Sequence, residues 1–308
     1  MISLRSRILK MFAAVALLAT FAMICARPIA AKGCDRECLS GLLNDYFQDM
    51  VAHNPGALPV TANVRFTQNN QVLKLGQGLW RTATGFTKYR LDVLDVAGHT
   101  AAAQAIVTEN ADDATHMPAS REQPVLFAVR LYETGGRINQ VETMVVRNDK
   151  SALIFNPDGY LQGNEQMALV PPSSEIDSRA DAFKIAMKYP EGLKIGSFVK
   201  ADTPFATDAY RIENGIHTAG PGCKMKGCEN IKTQDIITHP EVRARFVGYD
   251  QKTGVVMLYL DFGQTSRYGQ GRKLVTFEAF KIYGGQIHAV NAVLRITSVK
   301  ATSGWGNF

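Results

Sequence analysis

The chain has 308 residues, is 46% hydrophobic and 20% charged, and carries a formal net charge of +6. Its aliphatic content supports real cores, which excludes a fold carried by disulfides alone. Lys and Arg are scattered rather than striped, which argues against a nucleic-acid partner.

Arg5, Arg7 and Lys10 precede an apolar run, Met11 to Ala26, and small residues follow at Ala30 and Ala31. A basic start, an apolar centre and a small-residue cleavage site predict a signal peptide over 1–31. The run is short for a membrane span of ~20 residues, and Cys25 lies in a poor lipid-attachment context. No stable membrane insertion is expected after removal. Losing Arg5, Arg7, Lys10 and Arg27 lowers the charge from +6 to +2, weak attraction for any polyanion. Roughly 275 residues remain, enough for two ordinary domains.

Asp35 can cap a helix whose stripe is Leu39, Leu42, Leu43, Tyr46, Phe47, Met50 and Val51, ended by Asn54-Pro55-Gly56. Val60–Thr67 reads as a strand followed by the turn Gln68-Asn69-Asn70-Gln71. Leu73–Leu79 is short and Gly-punctuated. Tyr89–Val96, Ala101–Glu109, Val125–Tyr132 and Ile138–Arg147 read as strands of a curved antiparallel sheet. A connector over 151–177 holds Asn156-Pro157-Asp158-Gly159 and Pro171-Pro172. The order then restarts. Ser178 with Asp181 resembles a capping box for a helix bearing Ala182, Ile185, Ala186 and Tyr189, stopped by Pro190. Ala209–Asn214, Val242–Tyr249, Val255–Phe262, Leu274–Ile282 and Ile287–Ile296 are the strands, with a Gly/Lys/Cys loop at Ala219–Lys232.

Two hairpins repeat. Gly135-Gly136 is followed by Ile138 and Val141, and Gly284-Gly285 by Ile287 and Val290. The chain therefore reads as two copies of one α+β module, 32–150 and 178–308. In each, N-terminal helices lie on a curved antiparallel sheet and leave a cone with an open mouth, a natural small-molecule pocket.

Cys34, Cys38, Cys223 and Cys228 remain after the leader. An exported compartment, periplasmic or extracellular, makes disulfides the default. Local closure, Cys34–Cys38 and Cys223–Cys228, is favoured by sequence proximity. A staple between the modules and a four-thiolate zinc site are the alternatives.

The residues Cys34-Asp-Arg-Glu-Cys38-Leu39, Val51-Ala-His53, Val64-Arg-Phe-Thr67, Leu75-Gly-Gln-Gly-Leu-Trp80-Arg-Thr82, Arg211-Ile-Glu213-Asn214-Gly215 and Ser303-Gly-Trp305 carry a resemblance across nearly all of the chain beyond the leader. It resembles the nuclear transport factor 2-like superfamily, which includes SnoaL-like polyketide cyclases and ketosteroid isomerase-like enzymes. More closely, it is similar to a group of exported two-module proteins of fungi and bacteria. The resemblance implies cofactor-free acid/base chemistry on small hydrophobic molecules, or binding alone. The group tends to carry a His near Asp261-Phe262-Gly263, where this chain has Gly263. Fold alone does not decide function.

On a strand, Arg211 and Glu213 share one face and Asn214 takes the other. A functional reading makes Glu213 a base, Arg211 or Asn214 the holder of a developing oxyanion, and His217 a neighbour. The alternative is a structural Arg–Glu pair with Asn214-Gly215 as its turn. Glu278 sits mid-strand among apolar residues. In a pocket its pKa would rise; on the solvated face it would not. Glu142 holds the comparable place in the first module. Tyr46, Trp80 and Trp305 are candidate substrate contacts, with packing roles as alternatives; Trp305 would plug the second cone or seal the modules together. His53, His99, His116 and His239 show no metal spacing. There is no His-Glu-x-x-His, no Gly-x-Ser-x-Gly elbow and no phosphate loop. The expectation is a cofactor-independent lyase, isomerase or dehydratase acting on a small hydrophobic or aromatic molecule, without metal. A non-catalytic carrier is the alternative, and a module paired through open sheet faces, as in a homo-oligomer, is a third reading.

Overall fold

The computed structural model describes residues 33–110, 122–302 and 304–305. The expected signal segment and most of 111–122 lie outside them. Two six-stranded sheets with the same strand order organise the described residues. In the first module, α1 (Arg36–Val51) is followed by β1 (Val60–Gln68), β2 (Gln71–Leu73), β3 (Ala83–Asp95), β4 (Thr100–Asn110), β5 (Glu122–Thr134) and β6 (Arg137–Val146), arranged β2-β1-β6-β5-β4-β3. A connector with one short helix, α2 (Glu165–Ala168), leads to α3 (Arg179–Ile195). Then come β7 (Phe205–Glu213), β8 (Ile216–Ala219), β9 (Arg243–Asp250), β10 (Val255–Gln264), β11 (Arg272–Tyr283) and β12 (Gln286–Ser298), arranged β8-β7-β12-β11-β10-β9.

The expectation of an antiparallel sheet needs correction. β1 runs parallel to β6, and β7 parallel to β12. Hairpins make the other pairings antiparallel, but these two strands are joined through the rest of their module and meet head to head.

Local chemistry accounts for the elements. Asp35 accepts the Cys38 amide at 3.1 Å and caps α1, whose buried stripe is Leu39, Leu42, Leu43, Tyr46, Phe47 and Met50. Ser178 caps α3 through the Asp181 amide. That helix does not stop at Pro190, as its sequence suggests. It runs to Ile195 and ends on Gly196 at φ 71°. A proline inside a helix costs about 3 kcal/mol; burial of Tyr189, Pro190 and Leu193 offsets it. Gly135-Gly136 (φ 60° and 76°) and Gly284-Gly285 (φ 57° and 76°) form the two-residue hairpin turns that need positive φ twice. β3 and β7 begin earlier than alternation suggests, at Ala83 and Phe205, because the ladder shifts register along both strands and blurs the period of two. β8 is a four-residue edge strand folded back on β7 by the Asn214-Gly215 turn, and its brevity hides it in the sequence.

α1 and α3 each pack on one face of their own sheet, giving two separate cores. The opposite faces of the two sheets pack against each other in a third core, where Val93, Leu126 and Met144 meet Met257, Phe277 and Val293. Gln104 crosses this seam, donating to the carbonyls of Phe277 (2.9 Å) and Asn291 (3.0 Å). The connector also enters it: Tyr160 is buried and donates to the Ala292 carbonyl at 2.6 Å.

Disulfides join Cys34 to Cys38 and Cys223 to Cys228. The inter-module staple and the four-thiolate site are thereby overturned. Two disulfides fit an oxidising, exported environment. Among the described residues no helix is long and apolar enough to cross a membrane.

Candidate functional site

The site grows from three neighbouring strands. Along β7, Ala209 and Arg211 face the helix-covered side of the sheet with Glu213, while Tyr210 and Ile212 join the core between the modules. Glu213 lies opposite Ala292 of β12, and Ala292 lies opposite Glu278 of β11. Paired residues share a face, so Glu213, Ala292 and Glu278 form one row beneath α3, with the two glutamates about 10 Å apart at the backbone.

Arg211 is buried and held from four sides. It donates to Thr218 Oγ1 (2.9 Å), Tyr189 OH (3.2 Å) and Gln234 Oε1 (3.1 Å), and its Nε lies 3.5 Å from Glu213 Oε2. Burial works against its charge, but Glu213, Tyr189 and Glu278 outweigh that and hold the guanidinium more firmly protonated than usual. Glu278 is 1% exposed. It accepts the Thr276 hydroxyl at 3.0 Å on Oε1, while Oε2 has no hydrogen-bond partner. Burial, reinforced by the charge of Glu213, pushes its carboxyl up to about 8, with Thr276 and Arg211 offsetting part of the rise. At neutral pH this carboxyl keeps its proton, and an acid of this kind in an apolar setting is a frequent mark of a functional site.

A cavity of about 620 Å³ opens at the Glu213 end of the row; Glu278 is not part of its lining. Arg211, Glu213, Thr218 and Gln234 form its polar floor, and Leu193, Ile236, Phe262 and Leu274 contribute apolar wall. Two further wall residues were not singled out by the sequence. His239 stacks on Tyr268 with ring centroids 6.0 Å apart, and its Nε2 faces the tyrosine hydroxyl at 3.4 Å. Burial, with Arg267 adding to it, lowers the His239 pKa to about 4, so the ring is neutral at physiological pH. Burial likewise raises Tyr189 and Tyr268 above the usual phenol range. His239 lies in a loop and Tyr268 ends the short 3-10 turn Ser266–Tyr268; neither carries a periodicity, and the sequence offered His239 only as a histidine without metal spacing. Tyr189 read only as part of an apolar stripe.

The structure brings Arg211, Glu213 and Glu278 together and sends the other candidates elsewhere. Asn214 turns away from the cavity. Its amide donates to the carbonyls of Ala152, Ile154 and Leu294, and its oxygen accepts the Leu294 amide, which leaves no group for an oxyanion. His217 pairs across from Ile212 on the other face and bonds to the carbonyls of Pro221 and Gln162. Tyr46 and Trp80 are enclosed in the first module, where the indole donates to the tyrosine hydroxyl at 3.0 Å. Glu142 is buried between Arg130 and Arg245 at the seam between the modules. Trp305 reaches back to the first module, donating to Thr67 Oγ1 at 2.7 Å; it seals rather than plugs.

The first module lacks this arrangement. Phe66 pairs with Val141 as Arg211 pairs with Val290, and Gln68, Thr143 and Val129 stand where the second module has Glu213, Ala292 and Glu278. Tyr46 and Tyr189 hold the same place relative to their caps, Asp35 and Ser178, yet one meets an indole and the other a guanidinium. Phe66 and Val129 put apolar side chains where the second module has Arg211 and Glu278, and Gln68 is uncharged where it has Glu213.

A family model described as a domain of unknown function, DUF8021, matches residues 175–294, which include all three charged residues of the site. No curated protein matches the chain. Among solved structures, a de novo designed protein with a curved β-sheet overlaps 36% of this chain and 87% of its own, at 16% identity and a TM-score of 0.26. AclR from Streptomyces galilaeus overlaps 37% of this chain and 82% of its own, at 12% identity and a TM-score of 0.27. Both overlaps are loose and place no activity on this chain.

Proposed function

We propose that the second module is a cofactor-independent acid/base site acting on a small hydrophobic molecule in an exported compartment, as a lyase, isomerase or dehydratase. The reading includes kinship of both modules with the cone-shaped, SnoaL-like fold of the nuclear transport factor 2-like superfamily. One observation carries it: a buried, proton-holding Glu278 shares a row with Glu213 beside a fixed guanidinium. In this reaction Glu213, which lines the cavity, takes a proton from the substrate. Arg211 and Tyr268 face the same space and stabilise the anion that forms. Glu278 acts from behind as a positioning residue. Its proton keeps a second negative charge out of the row.

The test is untargeted mass spectrometry of a metabolite extract incubated with the disulfide-bonded protein in chelator-treated buffer, beside Glu213→Gln. A compound consumed by the wild type and spared by the variant is the expected result. Consumption by both would move the base to another residue. No turnover, with a compound retained after desalting, would replace the enzyme with a carrier, a reading favoured by the apolar part of the wall.

A further inference from the structure

A second cleft, of about 790 Å³, lies where the tail crosses the seam between the modules, and its chemistry is the opposite of the first cavity's. Its charged lining is Arg65, Arg130 and Arg245. Among the described residues, the carboxylate that meets these guanidiniums is Glu142, which lies behind the wall. It accepts Arg130 at 3.0 Å and Arg245 at 2.7 and 2.8 Å. Arg65 turns instead to the backbone carbonyl of Gly304 and lies 4.1 Å over the Trp305 ring. Among the described residues, one carboxylate, paired with two of the three guanidiniums, leaves the cleft lining positive. Burial, against the pull of Glu142 and with the neighbouring charge of Arg245, lowers the Arg130 pKa. Guanidiniums in a concave, partly desolvated wall suit a planar carboxylate.

The rest of the lining sets hydroxyls and amides, Thr61, Asn63, Thr134, Asn139 and Gln140, beside the Trp305 ring and Ala62. Asn139 keeps a buried Oδ1 without a hydrogen-bond partner. Such groups satisfy hydroxyls, which an apolar acid would leave unpaired. We propose that this cleft binds a hydroxylated organic anion of the size of a sugar acid, its carboxylate set against the arginines and its hydroxyls against the amides. The site is separate from the acid/base cavity and stands or falls independently of it.

Titration calorimetry on the disulfide-bonded protein tests this with three probes: glucuronate, glucose and inorganic sulfate. Glucuronate should bind measurably, with glucose undetected and sulfate weaker. Arg65→Gln, which removes a charge whose described partners are one carbonyl and one ring, should weaken glucuronate about tenfold. Asn63→Ala, at an exposed position outside the core, should weaken glucuronate and leave sulfate unchanged. Glucose binding as tightly as glucuronate would overturn the anionic ligand, and sulfate binding as tightly would overturn the hydroxylated one. Binding of none of the probes, or glucuronate binding unchanged in both variants, would overturn the site.

Discussion

Arg36 donates to both carboxylate oxygens of Asp250, at 2.6 and 2.8 Å, and so ties the first turn of the first module's helix to the last residue of β9 in the second. The reverse contact exists as well. Arg179, at the same position of α3, pairs with Asp95 at the end of β3. Asp250 also accepts the Leu94 amide at 3.2 Å, and Asp95 the Tyr249 amide at 3.1 Å. Contacts that recur with the partners exchanged are the signature of an isologous, two-fold interface. Here both halves belong to one chain. The facing sides of the two sheets are covered by each other.

These pairs should be unequal in what they hold. Asp250 is fully buried and serves backbone amides as well as Arg36, whose side chain is 30% exposed. Asp250→Ala removes the acceptor of several backbone amides as well as of Arg36 and should cost about 3 kcal/mol. Arg36→Ala leaves a carboxylate that still accepts amides and should cost about 1 kcal/mol. Urea unfolding of both variants checks the order. Equal losses would mean that the ion pair, not the amide clasp, anchors the seam.

The duplication was legible because it rests on turn chemistry and apolar spacing, both local: Gly-Gly before Ile and Val, and a cap before a stripe. The faces of β7 and β11 were legible only as alternatives, since alternation does not say which side the helix covers. Register settled that by placing Glu278 beside Ala292 and Glu213. The pairing of β1 with β6 was not legible, because no local signal marks a strand that joins its sheet from the far end of the module. His239 and Tyr268 came together through loops, whose path depends on what they pack against.

Glu278 predicts a pH dependence of stability. Its unfolded value is near 4.5 and its folded value about 8. Between these the unfolded chain has released the proton and the folded chain keeps it. Stability therefore falls as pH rises through this window, by an amount on the order of 4 kcal/mol, and levels off above it. His239 works in the opposite sense. Its folded pKa of about 4 lies below the ordinary 6.5, so its contribution is complete above 6.5 and is lost as pH falls toward 4. His288, also lowered by burial, acts below 6.5 as His239 does, and Lys281, which burial lowers to about 8, adds stability as pH rises above that value, so between pH 6.5 and 8 the fall comes chiefly from Glu278. Glu278→Gln should flatten denaturation midpoints there, and an unchanged slope would remove Glu278 as its source.

The same carboxyl should report on its neighbours without any substrate. Glu213 raises its pKa and Arg211 lowers it. Glu213→Gln should shift the titration of the protonated carboxyl band in infrared difference spectra to lower pH, and Arg211→Met should shift it to higher pH. The band itself should vanish in Glu278→Gln. Shifts in one direction for both variants would point to a general change in burial rather than to charge.

Asn214 has a counterpart that decides between its two readings. Asn69 occupies the matching turn after β1, also with positive φ (53° against 44°). Its amide bonds to the Thr143 carbonyl and its side-chain oxygen accepts the Val145 amide, as Asn214 does with Ala292 and Leu294. Asparagine tolerates this left-handed conformation better than most residues. The clasp is present in the module without Arg211, Glu213 and Glu278, so its cause is the strand junction and not chemistry in the cavity. Asn214→Ala forfeits buried bonds to three carbonyls and one amide and should cost about 3 kcal/mol; Asn69→Ala, with fewer, should cost about 1–2 kcal/mol. Neither should move the titration of Glu278. A shifted Glu278 titration in Asn214→Ala, with stability preserved, would return Asn214 to the site.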